Sequence, residues 1–228
     1  MVDALAPRYE RYPVGDGAEW MLVHGPETGA RVLILGALLN EGHLLRALTV
    51  ETARRLAARG FGCAVPDLPG CGESLLPLRT VGWNDWRAAA AAAAWAWRAA
   101  DGSPPHIASL RGGCLMDDAA DAASRWRYAP VDGSALLRPL ERAHRVANRE
   151  SGVVEQEHGA VPLAGYSFAP ALLDGLRAAK PTAPERCRTV TPEGAGLPLW
   201  RRAEPGTDPE LSERLATDIA EWISSCTS

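Results

Sequence analysis

The chain has 228 residues, of which 46% are hydrophobic and 23% charged, and its formal net charge is −4 at pH 7. These values are typical of a globular protein that is large enough to bury one core in a single domain. The basic residues form no block or stripe, which argues against nucleic-acid binding, and no apolar run approaches the ~18 residues of a membrane span.

The cysteines and the N-terminal residues bear on the compartment. The five cysteines are scattered and form no C-x-x-C pair, so we predict neither a zinc site nor a disulfide framework. Charged residues such as Asp3, Arg8 and Glu10 leave no apolar segment of the kind found in a secretory signal. We therefore expect a cytoplasmic protein with no metal and no cofactor.

The first part of the chain predicts two strands, a helix and a third strand. Residues 19–24 (EWMLVH) and 31–35 (RVLIL) are predicted strands, and the turn-forming residues between them favour a hairpin. Residues 44–59 have apolar positions at helical spacing, and Gly60 follows where a helix would end. Residues 62–65 (GCAV) form a short apolar run that predicts a buried strand.

The alternation continues with a helix over residues 85–100, a strand over 106–109 and a helix over 112–124. Strands that alternate with helices predict the α/β class, with a mostly parallel sheet covered by helices on both faces. We expect an N-terminal antiparallel hairpin at the edge of this sheet. We also expect the strands 62–65 and 106–109 to be parallel neighbours.

The second half of the chain is less regular. We predict a helix over residues 134–146, an inserted loop over 147–159, and one domain over 1–228 with a cap or insertion around 134–160. Further along, the sequence predicts strands at 161–166 and 186–190, a helix through Leu173, and a last helix at 208–223 with Asp208 as its N-cap and Pro209 at its first position.

The loop that follows strand 62–65 has the sequence PDLPGCGES (66–74), with the spacing D-x-x-G-x-G-x-S. Such a loop after an early parallel strand is typical of α/β-hydrolases. Its glycines permit a tight backbone path, and Asp67 can accept hydrogen bonds from loop amides. We interpret the loop as a structural turn that performs no chemistry.

In that fold the next strand leads to the nucleophile elbow, small-x-nucleophile-x-small, whose turn is too sharp for larger flanking residues. Residues 109–113 (SLRGG) fit this pattern, but Arg111 occupies the position of the nucleophile. An arginine carries no nucleophilic atom. The segment is then either an ordinary strand–helix turn or an elbow at which Leu110, Arg111 and Gly112 hold an anion beside a helix N-terminus.

Several other positions could contribute to a site. Ser109 and Cys114 are alternative, displaced nucleophiles. The oxyanion-side loop is predicted at residues 36–42 (GALLNEG), with Ala37, Leu38 and Glu41 as candidates. Its backbone amides would face Arg111.

Ser167 lies in a second match to the nucleophile motif, GYSFA (165–169). In α/β-hydrolases the chain order is nucleophile, acid, histidine, and all five histidines of this chain precede Ser167. We therefore interpret the match as coincidental, and expect Ser167 to lie away from Arg111 or to lack a histidine within hydrogen-bond reach. Residues 196–204, before the last helix, also contain no histidine, so the elbow lacks both a nucleophile and a base.

These segments resemble the exosortase A system-associated hydrolases, most closely the type called hydrolase 2. The resemblance implies the fold of serine hydrolases, an elbow of the form G-L-R-x-G in which Arg111 is a family trait, and a role beside exopolysaccharide synthesis and protein sorting in Gram-negative bacteria. Here Ser109 replaces the first elbow glycine, and only Glu41 matches the expected oxyanion-side run. The similar stretches are residues 40–61, 66–74, 109–115, 164–176 and 196–211.

Three functional hypotheses follow. The chain is a non-catalytic member of the fold that binds a small anionic ligand, an esterase or thioesterase with an unusual catalytic set, or a scaffold for exopolysaccharide or exosortase-system proteins. The absence of a late histidine favours the first and the third hypotheses over the second.

Overall fold

The computed structural model describes residues 6–151, 159–192 and 196–227. The α-helices there are α1 (Leu39–Ala58), α2 (Trp83–Ala96), α3 (Gly133–Ser151), α4 (Pro170–Ala178) and α5 (Pro209–Thr227). The strands are β1 (Arg8–Val14), β2 (Gly17–His24), β3 (Arg31–Leu35), β4 (Gly62–Pro66), β5 (His106–Leu110), β6 (Arg125–Tyr128), β7 (Val161–Leu163), β8 (Tyr166–Phe168) and β9 (Cys187–Val190).

A seven-stranded sheet organises the molecule, with the strand order β1-β2-β4-β3-β5-β6-β9. Strands β4, β3, β5, β6 and β9 are parallel to one another, while β1 and β2 form an antiparallel hairpin at the edge. Helices α1 and α5 pack together on one face, and α2, α3 and α4 cover the other. The predicted α/β class, the mostly parallel sheet, the N-terminal hairpin and the helices on both faces are confirmed.

The partners within the sheet differ from two predictions. The hairpin joins β1 to β2, whereas the predicted pairing of β2 with β3 is wrong because β4 lies between them. The predicted adjacency of β4 and β5 is also wrong, since β3 separates them. The crossover through α1 leads to one side of β3 and the crossover through α2 leads to the other side. The carboxyl end of β3 is therefore the point at which the strand order reverses, where ligands bind in open α/β sheets.

Two further segments adopt other structures than predicted. Residues 112–124 form two 3₁₀ turns, Arg111–Leu115 and Asp117–Ala119, instead of an α-helix. Adjacent glycines weaken a helix at its start, and the buried Asp117 carboxylate binds Arg127 on β6, with distances of 2.7 and 2.5 Å.

Residues 161–166 do not extend the main sheet. They contribute to a separate antiparallel hairpin of β7 and β8, which turns through Ala164 and Gly165, both at positive φ. Part of the predicted loop 147–159 is helical because α3 continues to Ser151, and residues 152–158 lie outside the described residues. A cap around 134–160 stays a prediction.

Local signals at helix ends give correct predictions. The Asp208 carboxylate accepts a hydrogen bond from the Leu211 amide at 2.9 Å, and Pro209 is the first residue of α5. Gly60 follows α1 with a φ of 91°. Among the described helices, none is both long and apolar enough to cross a membrane.

His24 is a buried titratable group at the end of β2. Its side chain is 1% exposed, and in the described part of the chain neither ring nitrogen has a hydrogen-bond partner. Burial, reinforced by the nearby Arg54 and Arg8, lowers the pKa of His24 below its ordinary value. Because the unfolded chain binds a proton near pH 6.5 and the folded chain does not, stability is lost as the pH falls from there toward the lowered pKa.

We expect His24→Leu to remove this acid-dependent loss. Between pH 7 and pH 5 the variant should lose about 1–2 kcal/mol less unfolding free energy than the wild type, as measured by urea denaturation. His106, whose pKa burial also lowers, is present in both proteins and cancels in the comparison. The same pH dependence in both proteins would show that His24 does not titrate differently on unfolding.

Candidate functional site

The turn after β5 has the geometry of a nucleophile elbow. Arg111 follows the last residue of the strand with a φ of 53°, in the left-handed region that side chains rarely adopt. A Cβ on Gly112 would lie 2.9 Å from Leu38 Cγ, and one on Gly113 would lie 2.3 Å from the Leu35 carbonyl oxygen. The small residues of the motif are therefore needed for close packing against the end of β3.

The Arg111 side chain is held by an internal counter-ion. Its Nε and Nη2 donate to the two carboxylate oxygens of Glu41 at 2.9 and 2.8 Å, and its Nη1 donates to the Ala129 carbonyl oxygen at 2.9 Å. The Arg111 and Glu41 side chains are 12% and 14% exposed. A bidentate pair with so little exposure is a strong, geometrically fixed interaction. Glu41, a predicted oxyanion-side residue, thus neutralises the elbow.

Trp200 closes the same site from the other side. It belongs to a 3₁₀ turn, Leu199–Arg201, in the segment before α5 where a serine hydrolase would supply its histidine. The Arg111 Cζ atom lies 4.3 Å from the centroid of the Trp200 ring, which is cation–π geometry. The Arg111 guanidinium therefore contacts Glu41, the Ala129 carbonyl and the Trp200 ring.

Backbone strain accompanies these contacts. Leu39, at the start of α1, and Ala129, after β6, have φ values of 56° and 48°, so with Arg111 three non-glycine residues near the site are left-handed. Such conformations cost about 1–3 kcal/mol each and persist only where the surroundings impose them. The carbonyl of Ala129 and the helix that carries Glu41 are both held in place by their contacts with the elbow.

The other candidate nucleophiles near the elbow are not activated. The Ser109 side chain is fully buried, and its hydroxyl has no hydrogen-bond partner among the described residues. Burial raises the pKa of the Cys114 thiol far above its ordinary value, which keeps it protonated. A nucleophile needs a base or a lowered pKa. Neither residue has one.

Ser167 lies on β8, in a hairpin, and not at a strand–helix elbow. Its side chain is exposed to solvent, and it lines the same cavity as His43. His158 lies outside the described residues, so the expectation that Ser167 lacks a histidine partner stays a prediction. Gly165 belongs to the turn of this hairpin, and the residues after it form β8.

A cavity of about 620 Å³ opens beside the elbow, between the start of α1, the loop after β4 and the β7–β8 hairpin. Ala37 and Leu38 of the predicted oxyanion-side loop line it, whereas Arg111 is not among the described residues that do. Its apolar walls include Leu35, Leu38, Leu39, Val65, Leu68, Met116 and Tyr166. Its polar lining includes His43, Arg46, Asp67, Glu73, Arg79 and Ser167.

Asp67 fixes the loop that forms one wall of this cavity. Its carboxylate accepts hydrogen bonds from the Glu73 amide and from Arg46 Nη1, each at 3.3 Å, as predicted for the loop amide. Gly72 must be glycine because a Cβ would lie 2.3 Å from an Asp67 carboxylate oxygen. Burial raises the pKa of Asp67, and the charge of Arg46 partly offsets that rise.

Sequence reasoning missed Trp200, Ala129 and the arginines of the cavity. Trp200 carried a signal, since it lies in the segment expected to supply the base. Arg46 follows His43 by three residues, which places both on one face of α1. Nothing in the sequence marks Ala129. Among the described residues, no cluster of histidine, cysteine, aspartate and glutamate could hold a metal ion.

Comparisons with known proteins support the fold. No protein-family model matches the chain, and no curated protein matches it. Solved structures with the same architecture include a putative hydrolase from Agrobacterium vitis (15% identity, TM-score 0.57, 96% of this chain and 99% of that one). Est1E from Butyrivibrio proteoclasticus, solved with ferulic acid, is 14% identical with a TM-score of 0.58, over 95% of this chain and 98% of that one. The thioesterase domain from the curacin biosynthetic pathway is 13% identical with a TM-score of 0.55, over 96% of this chain and 99% of that one. The chain therefore has the α/β-hydrolase fold.

We predict that the elbow does not accept a Cβ at its last position. Gly113→Ala should lower the unfolding free energy by about 2–3 kcal/mol, because the new methyl group overlaps the backbone of β3. Gly17→Ala is the control, since the nearest atom to its Cβ is 3.8 Å away, and it should change stability by less than about 0.5 kcal/mol. Equal effects in denaturant titrations would contradict the close packing.

We predict that the ion pair at the elbow is strongly coupled. Arg111→Met and Glu41→Leu should each lower the unfolding free energy by about 3 kcal/mol, because each leaves the partner's charge unpaired and shielded from solvent. The double variant should lose far less unfolding free energy than the two single variants added together. The matched control is the exposed pair Arg177 and Glu141, whose coupling should stay below about 0.5 kcal/mol. Additive losses of unfolding free energy for the variants at positions 41 and 111 would contradict strong coupling between the two residues.

Proposed function

We propose that this chain is an α/β-hydrolase-fold protein that binds a small anionic ligand and does not cleave esters at its elbow. The observation that carries the proposal is the contact set of Arg111, which binds Glu41, the Ala129 carbonyl and the Trp200 ring. These contacts occupy the space in which acyl transfer would require a nucleophile and a base.

The chemistry of Arg111 supports this proposal. Covalent catalysis needs an oxygen or sulfur nucleophile that a neighbouring base can deprotonate, and a guanidinium supplies neither a nucleophile nor a base at physiological pH. The residue that reaches the elbow from the segment before α5 is Trp200, whose indole cannot accept a proton in this role. The ancestral fold is retained without the groups that make it hydrolytic.

The cavity supports a binding role. Its volume of about 620 Å³ falls in the range of small-molecule sites, ~300–1,000 Å³, and it lies near the carboxyl end of β3 where the strand order reverses. An anion at Arg111 itself stays a prediction, since it would have to displace Glu41 from the guanidinium. Arg46 and Arg79, in contrast, line the open cavity.

The cellular part of the proposal rests on the resemblance to exosortase A system-associated hydrolases. We propose that the chain acts in the cytoplasm beside exopolysaccharide synthesis or protein sorting, with proteins of that system as partners. Deleting the gene in the bacterium that carries it should reduce surface polysaccharide, and the wild-type gene should restore it. Unchanged polysaccharide in the deletion strain would contradict this placement.

Turnover assays test the biochemical part. The purified chain should hydrolyse p-nitrophenyl esters and acyl-CoA thioesters no faster than buffer does. Arg111→Ser should also be inactive, because the elbow still lacks a histidine. Saturable turnover by the wild type that is lost on replacing Ser167, Cys114 or His43 would instead make the chain an esterase or thioesterase with an unusual catalytic set.

A further inference from the structure

The cavity is lined by buried apolar residues and by more exposed charged residues. Its apolar lining includes Leu35 and Leu38 near the end of β3, Val65 in β4 and Met116 after β5, and these side chains are almost entirely removed from solvent. His43, Arg46 and Arg79 also line the cavity, and they are exposed or half-exposed to solvent. A ligand in this space would therefore meet both apolar and cationic groups.

Arg46 is available for a ligand. The Arg46 side chain is 43% exposed, and its contact with Asp67 Oδ1, at 3.3 Å, is long for a charge-assisted hydrogen bond. Most of its N–H donors have no partner among the described residues. A guanidinium with open donors beside a cavity is suited to a planar carboxylate or a phosphate.

Arg79 adds a second cation without a fixed partner. It is exposed, and in the part of the chain that the structure describes no acidic side chain lies within ion-pair distance of it. Two acidic residues, Asp67 and Glu73, also line the cavity, and Asp67 is in contact with Arg46. Asp67 is 5% exposed and is already bonded to the Glu73 amide and to Arg46, while Glu73 is exposed to solvent.

Two exposed leucines lie in the loop that forms part of the cavity lining. Leu75 and Leu76 are 96% and 50% exposed, and they lie between Glu73 and Pro77, both of which line the cavity. Exposed leucines next to a binding cavity extend the apolar contact surface available to a long ligand. A compact polar anion would not use this surface.

We propose that the cavity binds a single-chain amphiphile with an anionic head group, with the acyl or alkyl chain against the leucines and the carboxylate or phosphate at Arg46 and Arg79. This inference rests on the proposed function, since it names the class of ligand that the cavity holds without cleavage. The shared chemistry is an anionic head group on an unbranched chain. The head group is the carboxylate of a free fatty acid or the phosphate of an alkyl monoester.

Isothermal titration with laurate and dodecyl phosphate, below their micelle concentrations, tests the proposal. From octanoate to laurate the affinity should rise about three- to fourfold for each added CH₂ that the cavity covers. Dodecyltrimethylammonium, with the same chain and the opposite charge, should bind much more weakly. Tighter binding of one anionic head than of the other would identify the source of the anion.

Arg46→Gln and Arg79→Gln should each weaken binding of the preferred anion by about 10-fold. Arg54→Gln is the matched control, because Arg54 is on the same helix as Arg46 and does not line the cavity, and it should bind like the wild type. Loss of the contact with Asp67 could unfold Arg46→Gln. Arg79→Gln removes a cation that has no such contact, so its affinity tests the proposal in that case.

Absence of binding, equal binding of the cationic amphiphile, or wild-type affinity in both cavity variants would overturn the ligand class. Failure of the proposed function is seen separately, in hydrolysis of p-nitrophenyl laurate by the wild type. That result would leave the preference for an anionic amphiphile in place while replacing binding by catalysis.

Discussion

A guanidinium at the tip of β5 needs a counter-ion, and the contacts around it depend on how this chain supplies one. Arg111 extends from a left-handed turn toward the first turn of α1, where Glu41 meets it with both carboxylate oxygens. With little solvent to stabilise either charge, each residue holds the other in place. The segment after β6, through the Ala129 carbonyl, and the segment before α5, through Trp200, bind the same guanidinium.

This arrangement separates the elbow from the cavity beside it. In a serine hydrolase the nucleophile lies at the base of the substrate site, and its hydroxyl must be reached by both substrate and histidine. Here the side chain at that position is bound to the protein, whereas Arg46 and Arg79 lie on the open cavity. The guanidinium groups that line the cavity are therefore distinct from the guanidinium at the elbow.

The parts of this account that follow local rules could be predicted from sequence. The turn at Gly112 and Gly113, the amide contact of Asp67 and the N-cap of α5 belong to short motifs whose residue types predict the local geometry. The contacts of the two glycines with Leu35 and Leu38 are long-range and are not visible in the motif. The sheet order could not be derived in the same way. Whether β5 pairs with β4 or with β3 depends on the direction of each crossover, which hydrophobic periodicity does not encode.

The site shows the same division. The absence of a nucleophile and of a late histidine is visible in the residues, because it concerns what is missing at defined positions. The partners of Arg111 are not visible in the sequence, since Glu41 and Trp200 are distant from it along the chain. They meet only when the elbow, the start of α1, the segment after β6 and the segment before α5 converge. The predicted helix over residues 112–124 failed for a related reason, because the buried pair of Asp117 and Arg127 is a long-range contact that opposes local helix formation.

The central claim is that the elbow forms no covalent intermediate, and intact-mass spectrometry after treatment with a fluorophosphonate tests it most directly. Serine hydrolases of this fold are labelled at the nucleophile because a base activates it. For this chain we expect a mass unchanged from the untreated protein, in the wild type and in Arg111→Ser alike. A stoichiometric adduct on a single residue of the folded wild type would contradict the account, provided that wild type denatured before the treatment forms no adduct.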